Sequence, residues 1–533
     1  MSLNAILRKT TAEYIANLDR ENLPSPEDIE EELLQLINSK IKECNAIKSR
    51  QDKKHKELET LPNSIIADVL LATNNIAKID FANEVNDEHM LLTVYQTDGI
   101  DRGIYVSSSA AFKRIVRPLN YTASKRDIEE VCNILYENAR IVKPNTDKDL
   151  IAVNNGIFNY ATKTLQDFDP DIVFISKSHI DYNPGAQNIT IHNDDDNTDW
   201  DVESWMQSLS DDPEIVSLLW EILSAIIRPN VRWNKSAWLY SEQGNNGKGT
   251  LCELMRALCG AGSYASIPIS AFGQDFMLEP LTRATAIIVD ENDVGSFIDK
   301  AANLKAVITN DVIQINRKFR TPINFRFYGF MVQCLNDRPR IKDKTNSMYR
   351  RLLIVPLTKC FTGKERKYIK NEYLHNKDVL EYVLYKVLNT NFYTLSEPQA
   401  CKNELSELSE LNNPVKEFMN KILSETPNTL IPTSLLYDGY KAFLNDTHKG
   451  ATPLTRKRFK SEVNRLLFGS DWEAADKPIS TCNRLVDTEP IVYEYPYELG
   501  KYRVCNLGAS SYRGIFKRTS RLKSNTDSGN NTV

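Results

Sequence analysis

Short runs of apolar residues, many of them β-branched, recur across the middle of the chain. Runs of this kind, roughly four to eight residues long, are typical of strands buried on both faces of a parallel sheet. They occupy residues 237–240, 284–289, 328–335 and 352–355. A run of helical character, residues 251–258, follows the first of them. The pattern predicts an α/β fold with a parallel central sheet.

Two further segments alternate apolar and polar residues, with the period of two expected of paired strands. They are residues 313–316 and 323–327, and the tip between them reads Arg317-Lys318-Phe319-Arg320. Cations at such a tip can follow a phosphate backbone without reading its sequence, and an aromatic ring can stack on a base or sugar. A solvated hairpin tip is the alternative explanation, because lysine-rich tips are common.

Charge patterning organises the rest of the chain. Residues 25–61 are predicted to form a charged amphipathic helix that begins at Ser25-Pro26-Glu27-Asp28. Its apolar face is expected to carry Ile29, Leu33, Leu36 and Ile37. The acidic stretch 193–199 indicates a solvated linker. The basic helix-like segment 455–467, followed by a basic tail from residue 501, favours a helix-plus-wing DNA-binding module.

The turn after the first predicted strand is rich in glycine and carries a lysine. It contains Gly244-Asn245-Asn246-Gly247-Lys248-Gly249-Thr250 and leads directly into the predicted helix. Strand, glycine loop and helix in this order form a phosphate cradle, because backbone N–H groups face the anion and the lysine adds a positive charge. The loop departs from the usual P-loop pattern in two places. Glu242 stands at the first glycine, and Gly249 replaces the magnesium-binding Ser/Thr, with a hydroxyl one place later at Thr250.

Polar residues lie next to the other predicted strands. Asp290 and Glu291 follow strand 284–289. Two carboxylates at the end of a buried strand are energetically unfavourable unless they bind a cation or transfer a proton. In ATPases the first holds Mg²⁺ and the second activates the attacking water. Asn336 ends the next strand, where an amide can hold the γ-phosphate or the water, although Asn also starts turns. Arg350-Arg351 precede the last strand and could act as an arginine finger on a neighbouring subunit's nucleotide.

These residues together resemble the superfamily 3 helicases, and most of all the phage and plasmid replicative helicases related to the poxvirus primase–helicase. The resemblance rests on residues 244–248, on Asp290-Glu291, on the basic segment 303–325 and on Asn336. Segments further away resemble the domain before the ATPase and the C-terminal winged-helix region of these proteins, namely residues 149–159, 181–186, 413–415, 432–437 and 440–443.

The resemblance implies an ATP-driven homo-hexameric helicase with an AAA+-like P-loop core, which threads single-stranded DNA through a central pore in the 3′ to 5′ direction. Residues 244–250 would hold ATP, with Lys248 on the β- and γ-phosphates. Asp290 would bind Mg²⁺, Glu291 the water and Asn336 the γ-phosphate. The implied DNA contacts are Lys305, Arg317, Lys318 and Arg320, and either Arg350 or Arg351 is the finger. Thr250 would replace the missing metal ligand, unless a water does.

The same resemblance divides the chain into expected regions. In chain order they are an N-terminal helical region (1–88), a helicase-associated domain (89–200), the superfamily 3 ATPase domain (201–375), linker helices (376–410), a winged-helix-like DNA-binding domain (411–523) and a disordered tail (524–533).

Composition limits the classes of protein to which the chain can belong. The chain has 533 residues, of which 41% are hydrophobic and 26% charged, as is ordinary for globular proteins. A net charge of −5 excludes a generic polyanion binder, so contacts with DNA must come from local patches. The nine cysteines form no CxxC pair and the six histidines show no ligand spacing, which argues against structural zinc. No apolar run approaches the roughly 20 residues that span a bilayer, and we expect a cytoplasmic protein without a membrane partner.

Two functions remain open at this level. One is a motor that unwinds single-stranded and forked DNA; the other is an ATP-switched initiator that binds origin duplex, melts it and recruits another helicase. Primer synthesis is not expected, since residues 1–140 show no convincing Asp-x-Asp strand pair. A small-molecule kinase would leave the basic segments unexplained.

Overall fold

The computed structural model describes residues 2–49, 53–83, 87–293, 297–298, 301–318, 320–341, 346–448, 451–475 and 477–518. Backbone contacts divide the chain into two units, Met1–Glu404 and Leu405–Val533. Both combine helices and strands. No helix within the described ranges is long and apolar enough to cross a membrane.

The N-terminal part of the first unit contains both helices and a sheet. The helices are α1 (Leu3–Ala16), α2 (Pro26–Ile47), α3 (Asn63–Thr73), α4 (Ser109–Val116) and α5 (Lys125–Asn138), and the strands are β1 (Ile76–Ile79), β2 (Leu91–Tyr95), β3 (Tyr105–Val106) and β4 (Arg140–Val142). The sheet order is β3-β2-β1-β4, with β1 antiparallel to β2 and parallel to β4. The boundary expected at residue 88 therefore falls between two paired strands, and the region before it is not purely helical.

Helix α2 begins where the sequence predicts. The Ser25 side chain accepts a hydrogen bond from the Asp28 backbone N–H at 3.1 Å, which caps the first turn. Ile29, Leu33 and Ile37 are buried. Leu36, which we expected on the same face, is 44% exposed, because successive helical residues are rotated by about 100°.

The same helix ends earlier than predicted. It stops at Ile47 instead of continuing to about residue 61. The chain then returns along the helix, and the Asn45 side chain exchanges two hydrogen bonds of 2.8 Å with the His55 backbone. Asparagine side chains thus satisfy backbone groups that a longer helix would have satisfied internally.

Small sheets and two helices follow. They are β5 (Leu150–Val153), β6 (Gly156–Asn159), β7 (Thr164–Gln166), β8 (Ile191–Asn193), β9 (Thr198–Trp200), α6 (Val202–Ser208) and α7 (Pro213–Ile227). The acidic stretch 193–199 belongs to the antiparallel hairpin β8–β9, whose turn is residues 194–197. These turn residues are exposed, as expected, but the stretch is part of a paired hairpin and the expectation of a linker was wrong. Asn193 is buried and donates to the Tyr373 hydroxyl at 2.9 Å, which anchors the hairpin.

The central part of the chain forms the predicted parallel sheet. Its elements are β10 (Ser236–Tyr240), α8 (Lys248–Cys259), β11 (Tyr264–Ala265), β12 (Ala286–Val289), β13 (Phe297–Ile298), α9 (Ala302–Ile308), β14 (Val312–Arg317), β15 (Arg320–Arg326), β16 (Phe330–Leu335), β17 (Arg340–Ile341), α10 (Asn346–Tyr349), β18 (Leu352–Pro356), α11 (Lys367–Asn371) and α12 (Lys377–Leu388). The sheet order is β11-β12-β16-β10-β18, and every pairing in it is parallel. The apolar runs that predicted strands are β10, β12, β16 and β18.

Helix α12 belongs to the core of this unit. Val383, Leu384 and Val387 are buried in the same apolar cluster as the sheet residues Val332 and Leu353. The expectation that residues 376–410 are linker helices is thus wrong for α12, because its apolar face is buried in the same core as the central sheet.

The alternating segments pair as predicted. β14 and β15 are antiparallel, with Ile313 opposite Phe325 and Ile315 opposite Ile323. Lys305, which we grouped with this hairpin, lies instead on α9 before it. The segment from residue 303 is therefore a helix followed by a hairpin.

The second unit contains its own core. Its elements are α13 (Gln399–Leu411), which crosses the boundary, α14 (Pro414–Glu425), β19 (Leu430–Pro432), α15 (Thr433–Thr447), α16 (Arg456–Leu467), β20 (Trp472–Ala474), β21 (Ile479–Ser480), α17 (Pro490–Glu494), α18 (Pro496–Leu499), β22 (Ser511–Tyr512) and β23 (Gly514–Lys517). An antiparallel sheet in the order β19-β23-β20 accompanies the helices. The predicted helix 455–467 is α16, capped by Thr455. The tail 524–533 lies outside the described residues.

Candidate functional site

Parallel pairing brings the predicted site residues to one edge of the sheet. The glycine loop leaves the carboxyl end of β10, and β10 pairs with β16, which pairs with β12. Asn336 follows β16 directly, and Asp290 follows β12. Ligands of open α/β sheets bind outside this edge. The structure thus places the loop, Asp290 and Asn336 at the edge where the sequence predicts a site.

The loop is held from both sides. The Ser241 N–H donates to the Leu335 carbonyl of β16 at 3.2 Å. On the other side the Asn245 amide donates to Glu365 Oε1 at 3.0 Å, and the Phe361 N–H donates to the Asn245 carbonyl at 2.7 Å. The segment after β18 therefore supports the loop, which the sequence did not predict.

Gly247 is the residue at which the loop turns into α8. Its φ is +83°, in the left-handed region that L side chains rarely adopt. A Cβ at this position would lie 2.7 Å from Leu209 Cδ2. Glycine is needed here both for the backbone conformation and for the close approach of α6.

Lys248 is the first residue of α8 and is only 5% exposed. Its ammonium Nζ donates to the Ser241 carbonyl at 3.3 Å, across the loop. Burial lowers the pKa of this lysine, because the charged form loses hydration. A weakly solvated ammonium beside backbone N–H groups of a helix N-terminus is suited to binding an anion.

Asp290 is bonded to a residue that the sequence did not single out. Both oxygens of its carboxylate accept from the Arg256 guanidinium of α8, Oδ1 from Nη2 at 2.9 Å and Oδ2 from Nη1 at 3.2 Å. These hydrogen bonds hold the pKa of Asp290 below its usual value. The neighbouring Glu291 is exposed. No sequence pattern pointed to Arg256, which lies eight positions after Lys248 on an ordinary helical stretch.

The fit of a magnesium ion depends on the same pair. Carboxylate and hydroxyl oxygens are suitable ligands for Mg²⁺, which Asp290 and Thr250 would supply. The described residues contain no group of three or more His, Cys, Asp and Glu side chains arranged for a metal. The donor chemistry fits an ion held largely by phosphates and water, provided that Arg256 releases Asp290.

A buried polar pair lies beneath this edge. Asn292 donates to Gln333 Oε1 and to the Cys334 carbonyl, both at 3.0 Å, and accepts from the Ile269 N–H at 2.9 Å. Gln333 of β16 is fully buried. Satisfied pairs of this kind fix the position of a loop, here the one that carries Asp290.

The residues after β16 and before β18 differ in exposure. Asn336 is exposed. Arg338, which sequence reasoning missed, donates to Glu404 at 2.8 Å, and its guanidinium lies 4.9 Å from the Tyr240 ring centre. Arg350 is exposed, whereas Arg351 donates to the carbonyl and the hydroxyl of Ser347.

The hairpin tip is only partly described. The Arg317 guanidinium donates to the Thr321 carbonyl at 3.1 and 2.8 Å, which closes the turn. Lys318 is exposed. The side chain of Arg320 lies outside the described residues. At its base the hairpin packs on the N-terminal sheet region, where the Phe81 and Phe325 rings are 4.6 Å apart.

A cavity of ≈ 470 Å³ lies beside the loop, on the side of α6 and α11. Its apolar walls are Trp200, Trp205, Leu209, Phe361 and Ile369, and its polar walls include Asn245, Thr250, Glu365, Lys367 and Lys370. Small-molecule sites commonly have volumes of about 300–1,000 Å³. The sequence did not predict this cavity, because its walls come from three separate segments, residues 199–209, 245–250 and 361–370.

Two family models match parts of the chain. One, described as a family of unknown function (DUF5906), covers residues 239–351, which include the glycine loop, Asp290-Glu291 and the hairpin β14–β15. The other, described as D5 N terminal like, covers residues 105–211 and includes the cavity residues Trp200 and Trp205. No curated protein matches the chain by sequence.

Solved structures also match. The A form apo structure of the NrS-1 C terminal region is 13% identical with a TM-score of 0.42, over 85% of this chain and 92% of that chain. A second apo structure of the NrS-1 C terminal region is 12% identical with a TM-score of 0.43, over 80% of this chain and 98% of that chain. Within the chain itself, residues 105–211 are similar to the D5 N terminal like family.

Proposed function

We propose that the protein is an ATP-driven DNA helicase of phage or plasmid replication, of the D5-like primase–helicase type. The observation that carries the proposal is the edge of the parallel sheet, where a buried Lys248 at a helix N-terminus and the carboxylates Asp290 and Glu291 lie on neighbouring elements. The D5 N terminal like match in residues 105–211 supports the assignment to replication.

The side chains would share the work of hydrolysis. Lys248 and the loop N–H groups bind the phosphates, and Asn336 contacts the γ-phosphate. Mg²⁺, held by Asp290 and Thr250, would supply positive charge against the phosphates. Glu291, exposed and next to Asp290, orients the water and accepts its proton.

Translocation requires contacts between subunits and with DNA. We assign DNA binding to the hairpin tip and to Lys305 of α9. The functional assembly in this proposal is a hexameric ring that moves along single-stranded DNA in the 3′ to 5′ direction. Of the two adjacent arginines, Arg350 is the better candidate for the finger, because Arg351 is bonded to Ser347 of its own chain.

Strand displacement on a forked duplex with a 3′ single-stranded arm tests the proposal. We expect ATP-dependent displacement by the wild type and none by Lys248→Ala, with a matched control at the exposed Lys402. Displacement by Lys248→Ala at the wild-type rate would contradict the assignment. No displacement by the wild type, despite DNA-stimulated ATP hydrolysis, would favour the second candidate below.

The second candidate is an ATP-switched initiator that binds origin duplex. It is favoured by α16 in the second unit, whose basic side chains Arg456, Lys457, Arg458 and Lys460 are all exposed. Such a helix can neutralise duplex phosphates. The initiator predicts tight duplex binding that ATP controls, and little unwinding. Measuring duplex affinity with and without a non-hydrolysable ATP analogue separates the two candidates.

A further inference from the structure

We propose that the cavity beside the glycine loop is the nucleoside subsite of this ATPase, and that Lys370 of α11 is a second phosphate-binding lysine of the same site. This inference rests on the proposed ATP-dependent function and names residues that neither the loop pattern nor the family matches assign. The bound group is a nucleoside triphosphate, with its base and sugar in the cavity and its phosphates against the start of α8.

The position of Lys370 is set by Gly249. A Cβ built on Gly249 would have Lys370 Nζ as its nearest neighbour outside the helix, at 3.7 Å. The ammonium therefore lies beside the N-terminal turn of α8, where the phosphate cradle is formed.

Lys370 is not engaged elsewhere. It is half-buried, and it makes no hydrogen bond or ion pair with the residues that the structure describes. An ammonium that loses part of its hydration without a hydrogen-bonded partner is less favourable than one that an anion contacts. Arg366, on the same cavity wall, lies 3.7 Å from Asp196 and is thus partly committed. Lys370 is the better candidate for a ligand contact.

The position of Lys370 explains why glycine occupies position 249. A P-loop normally has a hydroxyl at this position, directed to the metal ion. With glycine there, the space beside the first turn is open to the ammonium of Lys370. The chain therefore supplies a cation from α11 at a place where other P-loops supply a metal ligand from the loop.

The cavity fits the rest of a nucleotide. It opens beside Gly247 and Thr250, so a group within it continues directly from the cradle. Trp200 and Trp205 provide indole surface on which a base can stack. Trp205 is only partly buried, so part of its indole surface is accessible from the cavity.

Calorimetric titration with ATP, ADP and AMP in EDTA tests the inference without any hydrolysis. We expect Lys370→Met to weaken ATP binding by about 10- to 100-fold, as removal of one charge-assisted contact does, while AMP binding changes little. Lys402→Met, at an exposed lysine outside the cavity, is the matched control. Ser204→Trp, which fills the cavity mouth, should weaken all three nucleotides equally.

A rescue variant keeps the result specific. Since only the flexible end of Lys370 approaches Gly249, Gly249→Ser is tolerated sterically and restores the usual hydroxyl. In the presence of Mg²⁺ we expect Gly249→Ser to recover part of the ATP affinity that Lys370→Met loses. Melting temperatures of all variants within a few degrees of the wild type show that folding is retained.

The outcomes separate this inference from the function on which it rests. ATP binding that Lys248→Ala abolishes and Lys370→Met leaves unchanged would overturn the role of Lys370 and leave the ATPase in place. Unchanged binding of all nucleotides by Ser204→Trp would remove the nucleoside from this cavity. A wild type that binds no nucleotide would overturn both proposals together.

Discussion

Both carboxylate oxygens of Asp290 are bonded by the guanidinium of Arg256, at 2.9 and 3.2 Å. Asp290 is also the carboxylate that we assign to Mg²⁺. The Arg256 guanidinium and a Mg²⁺ ion cannot both bind these oxygens fully, so the two cations compete for Asp290. Nucleotide binding and the opening of this pair are therefore expected to be coupled.

The first prediction concerns this competition. Arg256→Gln removes the competing cation, and we expect nucleotide binding to reach half-saturation at a Mg²⁺ concentration several-fold lower than in the wild type. The protein should lose only about 1 kcal/mol of unfolding free energy, because Asp290 is 40% exposed and water screens the pair. Mg²⁺ titrations of ATP binding and urea unfolding measure the two effects. An unchanged Mg²⁺ dependence would show that the pair does not oppose the metal.

The second prediction concerns the water-activating role. Glu291→Gln keeps the size of the side chain and removes the base, so ATP should still bind while hydrolysis falls by about 100- to 1,000-fold. Equilibrium binding of ATP and single-turnover hydrolysis separate the two steps. Glu425→Gln, at an exposed residue of the second unit, is the matched control. Hydrolysis at the wild-type rate would remove Glu291 from the mechanism.

The third prediction concerns the loop. Gly247→Ala introduces a Cβ 2.7 Å from Leu209 Cδ2 and forces alanine to a φ of +83°. The combined cost is about 2–3 kcal/mol, which the loop can relieve only by moving away from α6. ATP affinity should fall by at least about tenfold with a modest decrease in melting temperature. Gly244→Ala meets no atom within 4 Å and should leave binding almost unchanged.

The fourth prediction concerns the hairpin. Lys318 is exposed at the turn, and Lys318→Ala should spare basal ATP hydrolysis while reducing its stimulation by single-stranded DNA. Loss of one phosphate contact also lowers the salt slope of DNA binding by about one unit or slightly less. Fluorescence anisotropy at several salt concentrations measures the slope, with Lys125→Ala on α5 as control. Normal stimulation and an unchanged slope would place DNA elsewhere.

The fifth prediction concerns the stability of the second unit at acidic pH. Burial opposes ionisation of Asp438, but hydrogen bonds from Tyr502, Lys441 and Lys501 outweigh it and hold its pKa well below the ordinary value. A lowered folded-state pKa means that the stabilisation is present at neutral pH and is lost as the pH falls below about 4. Asp438→Asn should cost about 1–2 kcal/mol at pH 7 and much less only near pH 1, because at pH 3 the carboxylate is still ionised in the folded state. An equal cost at both pH values would contradict the ionic role.

The strands of the central sheet were predictable, because strands buried on both faces carry continuous apolar runs that few other structures need. The start of α2 was predictable for a similar reason, since a serine cap followed by proline and acids is a local signal. Its end was not. The return of residues 53–58 along the helix depends on bonds such as Asn45 with His55, between residues ten positions apart.

The acidic stretch 193–199 shows the same limit. Composition alone favoured a solvated linker, but one buried amide, Asn193, ties the hairpin to Tyr373, far along the chain. Helix α12 was misassigned because its apolar face has no mark that tells which domain will cover it. Charge and periodicity indicate which residues of an element are exposed and which are buried. They do not indicate which other element covers the buried face, because tertiary packing decides that.

The sequence by itself determined the order of chemistry along the chain: a glycine loop with Lys248, then Asp290-Glu291, then Asn336, each next to an apolar strand. Each is a local pattern, which can be recognised from a few neighbouring residues without knowledge of the rest of the fold. Only the tertiary structure decided which distant residues complete the site. Arg256 reaches Asp290, and Lys370 reaches Gly249, because parallel strand pairing and the packing of α8 and α11 bring separate segments to one edge. Such approaches depend on the whole packed core, which no local pattern encodes.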